Sequence, residues 1–501
     1  MTSEAPGDGF APLRQDAEAF LAAMAEATYR SGAGLEPARP LAPLYERFGR
    51  LASPTLHQEV REAWVGAPEG PERARLRALA AFTARHLLEA GVAPLRDRLA
   101  AAEVAALLRI EGREIPLLDL EAALRDEPDR TIRARMAAAQ AEALQATNPL
   151  RAELLARIHD GAAALGYPGV AGLCRTLGPA DLDALAKHAQ EILDQTESMY
   201  EETLAWALRR HLSVRLKEAR HDDLLRLFRA PWLDPLFPAR LLLPAAEATL
   251  RALRLDLSAA GRIRLDLEDR PGRASRPFVA PSEVPDRIYL VARAAAGLEA
   301  YGAFWHELGH ALHYAHTDGS LPVDGRRLGD EAVAELHASL LEGLIREPGW
   351  LKRFLEVGKP RDTLWVAHLR LLGLLRRSAA TLLHELLLPG GRNGEARAEA
   401  YRYLLGQAMR VEVSPEMALA EADPFLASAH SLRGWMGAAV LADSLREYFD
   451  EDWYRNDRTG PFLRECWQQG LRPTLEALLQ QLGLGPLTPR PLLQRITQHL
   501  Q

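Results

Sequence analysis

Apolar residues recur at three- and four-residue intervals through most of the chain, with polar positions between them and glycine or proline at the breaks. That spacing puts the apolar side chains on one face of an α-helix. It is clear in "DAEAFLAAMAEATYR" (16–30), "PERARLRALAAFTARHLLEAG" (71–91) and "DRTIRARMAAAQAEALQA" (129–146), and it continues in "LRAELLARIHDGAAALGY" (150–167) and through 181–211. Two stretches depart from it. In "LLRIEGREIPLLDL" (107–120) a Glu-Gly pair between apolar runs predicts a short hairpin. In 262–294 alternating apolar residues, Pro-Gly turns and the β-rich "RIYLVA" predict a small sheet. Helix is expected to resume near Gly297 and again over 328–347, and a glycine-rich break at 388–396 separates two later helical blocks. The pattern predicts a mainly α chain with a small β-sheet just upstream of "WHELGH" (305–310). Its organisation is expected to be an N-terminal helical region, 1–147, followed by a catalytic domain, 148–501.

Composition narrows the possibilities. The net charge of −7 argues against a nucleic-acid partner, because tracking phosphates needs a basic excess. Cys174 and Cys466 are the only cysteines, too few for a disulfide framework or a thiolate cluster, so any metal must be held by histidine and carboxylate. No run approaches the ~18 apolar residues of a membrane span, and the first residues lack the basic start and apolar core of a secretory signal. The expectation is a cytoplasmic protein with no membrane association.

Within "WHELGH", His306 and His310 lie one helical turn apart and can aim at one ion. Glu307 sits about 100° further round the helix, where its carboxylate can reach a metal-bound water. Zinc would bring that water's pKa toward ~7, and the glutamate would take its proton. From the composition, chance supplies only roughly 0.06 such matches in this chain. A catalytic zinc usually has three protein ligands. "GDEAVAELHASLLEG" offers Glu331, Glu335 and Glu342 on roughly one helix face. Glu335 is the first choice for the third ligand, with Glu331 and Glu342 expected to accept from the imidazole N–H groups. His313 and His316 extend the histidine spacing and are expected on a helix face near the cleft rather than around a second metal. "HELL" (384–387) mimics the start of the motif but is followed by leucine at 388, so it is not a site.

These residues resemble the thimet oligopeptidase and oligopeptidase F family of zinc metallopeptidases. The resemblance lies in "HELGHALH", in the spacing of Glu335 and Glu342, in "DLEDRPGRASRPF" (266–278) and in "ASAHSLRGWMGAAVLADSLREYF" (427–449), and it covers about 262–480. It implies a large multi-helix zincin-like fold with a deep cleft. It also implies one zinc per chain on His306, His310 and Glu335, Glu307 as general base, and His430 as the histidine that touches substrate near the scissile bond. The chain departs from the family downstream of His430, where the family places tyrosines that stabilise the oxyanion and this chain has Trp435, Ala439 and Ala442. Either His430 or a tyrosine from elsewhere, Tyr401 or Tyr403, is expected to stand in, or the substrate or rate differs from the family's. The expected function is zinc-dependent hydrolysis of short peptides in the manner of an oligoendopeptidase. Two alternatives remain: a metallocarboxypeptidase of the Taq type, which needs a basic residue for the substrate's C-terminus, and a catalytically weak zinc-binding scaffold for peptides or a partner.

Overall fold

Long alanine-, leucine- and arginine-rich stretches pay little entropy to become helical, and they form the longest elements. The computed structural model describes residues 9–387 and 394–501, with the backbone only at 387. The three clearest sequence helices lie within Ala11–Gly32, Pro71–Ala105 and Arg130–Ala164. Pro54 opens the helix Pro54–Gly66, and Ser53 caps it by accepting from the Leu56 N–H. The break expected at 388–396 lies mostly outside the described residues, and helix continues from Gly394 to Met409.

Both predicted β regions form. Strands β1 (Leu107–Ile110) and β2 (Arg113–Pro116) pair antiparallel, with Ile110 opposite Arg113. Their two-residue link holds Glu111 at φ 49 and Gly112 at φ 74, the left-handed pair that matches hairpin twist. The second sheet has β3 (Ile263–Asp266), β4 (Phe278–Glu283) and β5 (Arg287–Val291) in the order β3-β5-β4. Strand β3 runs parallel to β5 and β4 antiparallel, so β4 lies at an edge.

The helix Leu298–His316 packs on this sheet. Its buried face carries Leu298, Tyr301, Phe304, Trp305, Leu308, Ala311, Leu312 and Ala315, while His306, Glu307 and His310 are only half-buried. Glu331–Glu342 and Ala427–Phe449 complete a three-helix layer with it. Two apolar cores lie in the C-terminal part of the chain, one around Trp305 and Trp350 and one around Leu372 and Met436. A third core fills the N-terminal helices. The N-terminal half also touches the sheet, because the Tyr29 ring stacks on Tyr289 at 3.7 Å and its hydroxyl donates to Asp266 at 3.2 Å. One helix, Arg130–Ala164, carries the chain across position 148. Among the described residues no helix is long and apolar enough to cross a membrane.

Candidate metal centre and its surroundings

Two glycines let the three helices approach closely. A Cβ at Gly309 would lie 2.6 Å from the Ala338 Cα and 2.9 Å from the His337 carbonyl. At Gly434 it would lie 2.4 Å from the Glu335 Cβ. Glycine at these positions therefore brings the motif helix and the His430 helix onto the backbone that carries Glu335. Asp330 fixes the start of that helix. It accepts from the Ala332 N–H, takes a bidentate pair from Arg433 at 2.8 and 2.6 Å, and accepts from the Leu475 N–H at 2.8 Å. Such a buried, fully hydrogen-bonded pair sets geometry.

The result is a convergence of His306, His310 and Glu335, whose donor atoms all lie within 4.8 Å of one another. The two Nε2 atoms are 3.2 Å apart. Glu335 oxygens lie 3.8 Å from His306 and 3.6 Å from His310. Ligands at zinc's ~2.0 Å bond length in a tetrahedron stand about 3.3 Å apart, so the spacing suits a small dication. The charges also suit one. Burial opposes protonation of His306, yet Glu342, Glu335 and Glu307 together outweigh it and lift its pKa to about 9. Three carboxylates thus face the two imidazoles, an excess of negative charge that a dication would offset. Burial pushes the Glu307 carboxyl above its ordinary value against the pull of His310 and His306. Burial also opposes ionisation of Glu335, but His310 and His306 hold its pKa below the usual carboxylate value.

The expected outer partners separate. Glu342 lies 3.3 Å from His306 Nδ1, and Arg346 donates to it at 3.3 Å. Its pKa is lowered to about 2, with His306 and Arg346 overcoming burial. Glu331 does not reach the imidazoles of the motif. It lies 3.6 Å from Arg85 and 3.9 Å from His430, because it stands at the first turn, beyond the motif helix. His430 borders the same space as Glu331, one helical turn from Glu335.

The three positions where tyrosine was expected lie on the other side of their helix. Trp435, Ala439 and Ala442 are roughly 120–180° round from His430 and line a small internal cavity with Leu371 and His368. Their side chains therefore face away from His430. Neither proposed replacement serves either. Tyr401 is buried and donates to Glu421 at 2.6 Å, and Tyr403 is exposed. Sequence reasoning passed over Tyr314, four residues beyond His310, on the helix face between His310 and Glu307. Helical side chains lean toward the N-terminus, which carries the ring back toward the motif. Burial, with Glu331, Glu335 and Glu307 nearby, pushes its pKa up to about 12, so the phenol keeps its proton. Its hydroxyl makes no hydrogen bond among the described residues. The signal was the His306-His310-Tyr314 interval of four.

The two further histidines of the motif helix bond to backbone carbonyls. His313 is fully buried, with Nε2 3.3 Å from the Gly470 carbonyl, and burial pulls its pKa down to about 3. His316 donates through Nδ1 to the Leu312 carbonyl at 2.9 Å. His313 lies in the interior instead of on the expected cleft-side face, and His316 is half-buried. In "HELL", Glu385 accepts from the Asp423 N–H and from the Ser428 hydroxyl, pinning the start of the His430 helix.

No protein-family model matches the chain, and no curated protein matches it by sequence. Its fold is similar to that of several solved structures. One is a protein assigned as oligoendopeptidase F from Bacillus anthracis, at TM-score 0.64 and 16% identity over 98% of this chain and 85% of that one. PZ peptidase A, solved with an inhibitor, gives 0.62 and 15% over 99% and 87%. Metallocarboxypeptidase 1 of Trypanosoma cruzi gives 0.59 and 15% over 98% and 99%. At these identities the likeness concerns the fold: a large, mainly helical architecture with small sheets.

Proposed function

We propose that the protein is a zinc-dependent peptidase acting on short peptides, with His306, His310 and Glu335 as the metal ligands. The convergence of those three donors beside a half-buried, raised-pKa Glu307 is the observation that carries this reading. The fold likeness to oligoendopeptidase F and PZ peptidase A supports it. When bound, zinc supplies Lewis acidity, polarising a carbonyl and acidifying an attacking water. Glu307 takes the proton from that water and hands it to the departing amine. Tyr314 donates its hydroxyl proton in a hydrogen bond to the developing oxyanion, a contribution of the kind worth ~10²–10³ in rate. His430 contacts the substrate near the scissile bond. The edge strand β4 offers backbone groups to an extended peptide. Retention of Glu307 speaks against a merely structural metal, which has no use for a base.

A second reading, cleavage directed at the carboxyl end of the substrate, draws support from the fold likeness to the Trypanosoma metallocarboxypeptidase, which extends over 99% of that chain.

The test is cleavage of a quenched peptide library by the zinc-loaded protein and by Glu307→Gln. We expect hydrolysis by the former and a loss of about 10³ or more in the latter, with metal retained. A zinc-loaded wild type inert toward the whole library overturns the proposal in favour of a binding scaffold.

A further inference from the structure

Beside the metal centre a chamber of about 370 Å³ opens between the N-terminal helices and the rest of the chain. Phe20, Phe82, Leu173 and Leu177 give it an apolar wall, and Glu331 and His430 form part of the opposite wall. Glu331 precedes Glu335 by one helical turn, so the chamber begins about 6 Å along that helix from the metal-ligand position.

Most charges around the chamber are answered; Arg472, exposed to solvent, and Arg77, half-buried, stand in no ion pair among the described residues. Asp324 is held by Arg14 at 2.8 Å and by Arg75 at 3.3 Å. Arg85 serves both Glu331, at 3.6 Å, and Glu89, at 3.4 Å. Arg327 pairs with Glu18 at 3.2 Å. Arg77, half-buried in the wall, has no carboxylate within ion-pair distance and no hydrogen-bond acceptor among the described residues. Asp330 acts on it electrostatically, but both Asp330 oxygens are committed to Arg433 and to backbone N–H groups. A half-buried guanidinium without a partner loses hydration and gains strongly from an anion that its planar fork can grip, such as a carboxylate.

We propose that this chamber receives the C-terminal residue of the peptide substrate, its free α-carboxylate on Arg77 and an apolar side chain against Phe20, Phe82 and Leu177. The inference rests on the peptidase reading and adds a substrate class to it: short peptides with an unblocked, apolar carboxyl end.

The experiment compares N-acetyl-tetraalanyl-phenylalanine as the free acid with its C-terminal amide. Binding is measured by calorimetry in the zinc-loaded Glu307→Gln protein, alone and with Arg77→Gln or Arg77→Lys added. Melting curves verify that each variant is folded. We expect the free acid to bind about ten- to a hundred-fold more tightly than the amide. Arg77→Gln brings that ratio near one, and Arg77→Lys keeps part of it. Equal binding of acid and amide, a preference that survives Arg77→Gln, or no binding of either peptide overturns the proposal. Failure of the peptidase reading looks different: the protein with Glu307 intact cleaves neither peptide, while the Arg77-dependent preference in binding persists.

Discussion

His306 and His310 share a helix, and almost a face, with His313, yet the three histidines have opposite surroundings. Opposite the first two stand Glu335 and Glu342, and those carboxylates pull the His306 pKa up to about 9. Opposite His313 stand the Gly470 carbonyl and the His337 ring, 5.1 Å away, and burial takes its pKa down to about 3. Position on the helix therefore does not distinguish a candidate ligand from a core residue. What lies across the interface does, and at a heptad's distance that changes from carboxylate to backbone and ring.

The sharpest way to break this contrast is to exchange the fates of the two classes. His310→Ala should cost more than the ~100-fold typical of losing an outer partner in zinc affinity, measured by competition with a chelator, and should abolish peptide cleavage. His313→Ala should leave one zinc per chain. A zinc site that survives the first change and fails with the second would reverse the assignment. Next in size, Tyr314→Phe should lower kcat by ~10²–10³ with KM and zinc content unchanged; an equal loss in zinc content would make Tyr314 a structural neighbour only. Glu342→Gln removes the acceptor for His306 Nδ1 and should weaken zinc by ~10–100-fold while the fold persists.

The smallest effect concerns acid stability. His313 binds its proton at about pH 3 in the folded chain, against an ordinary value near 6.5. The unfolded chain takes up that proton first, so stability is lost as pH falls from about 6.5 toward 3. His313→Gln should flatten this fall in melting temperature, by the equivalent of on the order of a few kcal/mol at pH 4. An unchanged slope would show that other buried histidines, such as His384 with its pKa near 4, dominate it.

Local pattern made much of the molecule legible. The helical spacing of 16–30, the Glu111-Gly112 hairpin and the sheet upstream of the motif all follow from periodicity and turn chemistry, which act over a few residues. The spacing of His306, His310 and Glu335 also encoded their convergence, because each pair is fixed by a helix or by a short connection. The placement of Trp435, Ala439 and Ala442 on the far side of their helix was misread as a gap in the site, since spacing alone does not say which face packs inward. Glu331 was placed on the imidazoles for the same reason. Arg77 lay beyond sequence reasoning altogether: its lack of a partner follows from Asp330 being occupied by Arg433, more than a hundred residues further on.

The most direct test of the metal assignment is the zinc content of the purified protein, measured by mass spectrometry for wild type, Glu335→Ala and Glu331→Ala. The geometry predicts one zinc per chain in wild type and Glu331→Ala and none in Glu335→Ala. Zinc retained by Glu335→Ala but lost from Glu331→Ala, or no zinc in the wild type after exposure to the metal, would contradict it.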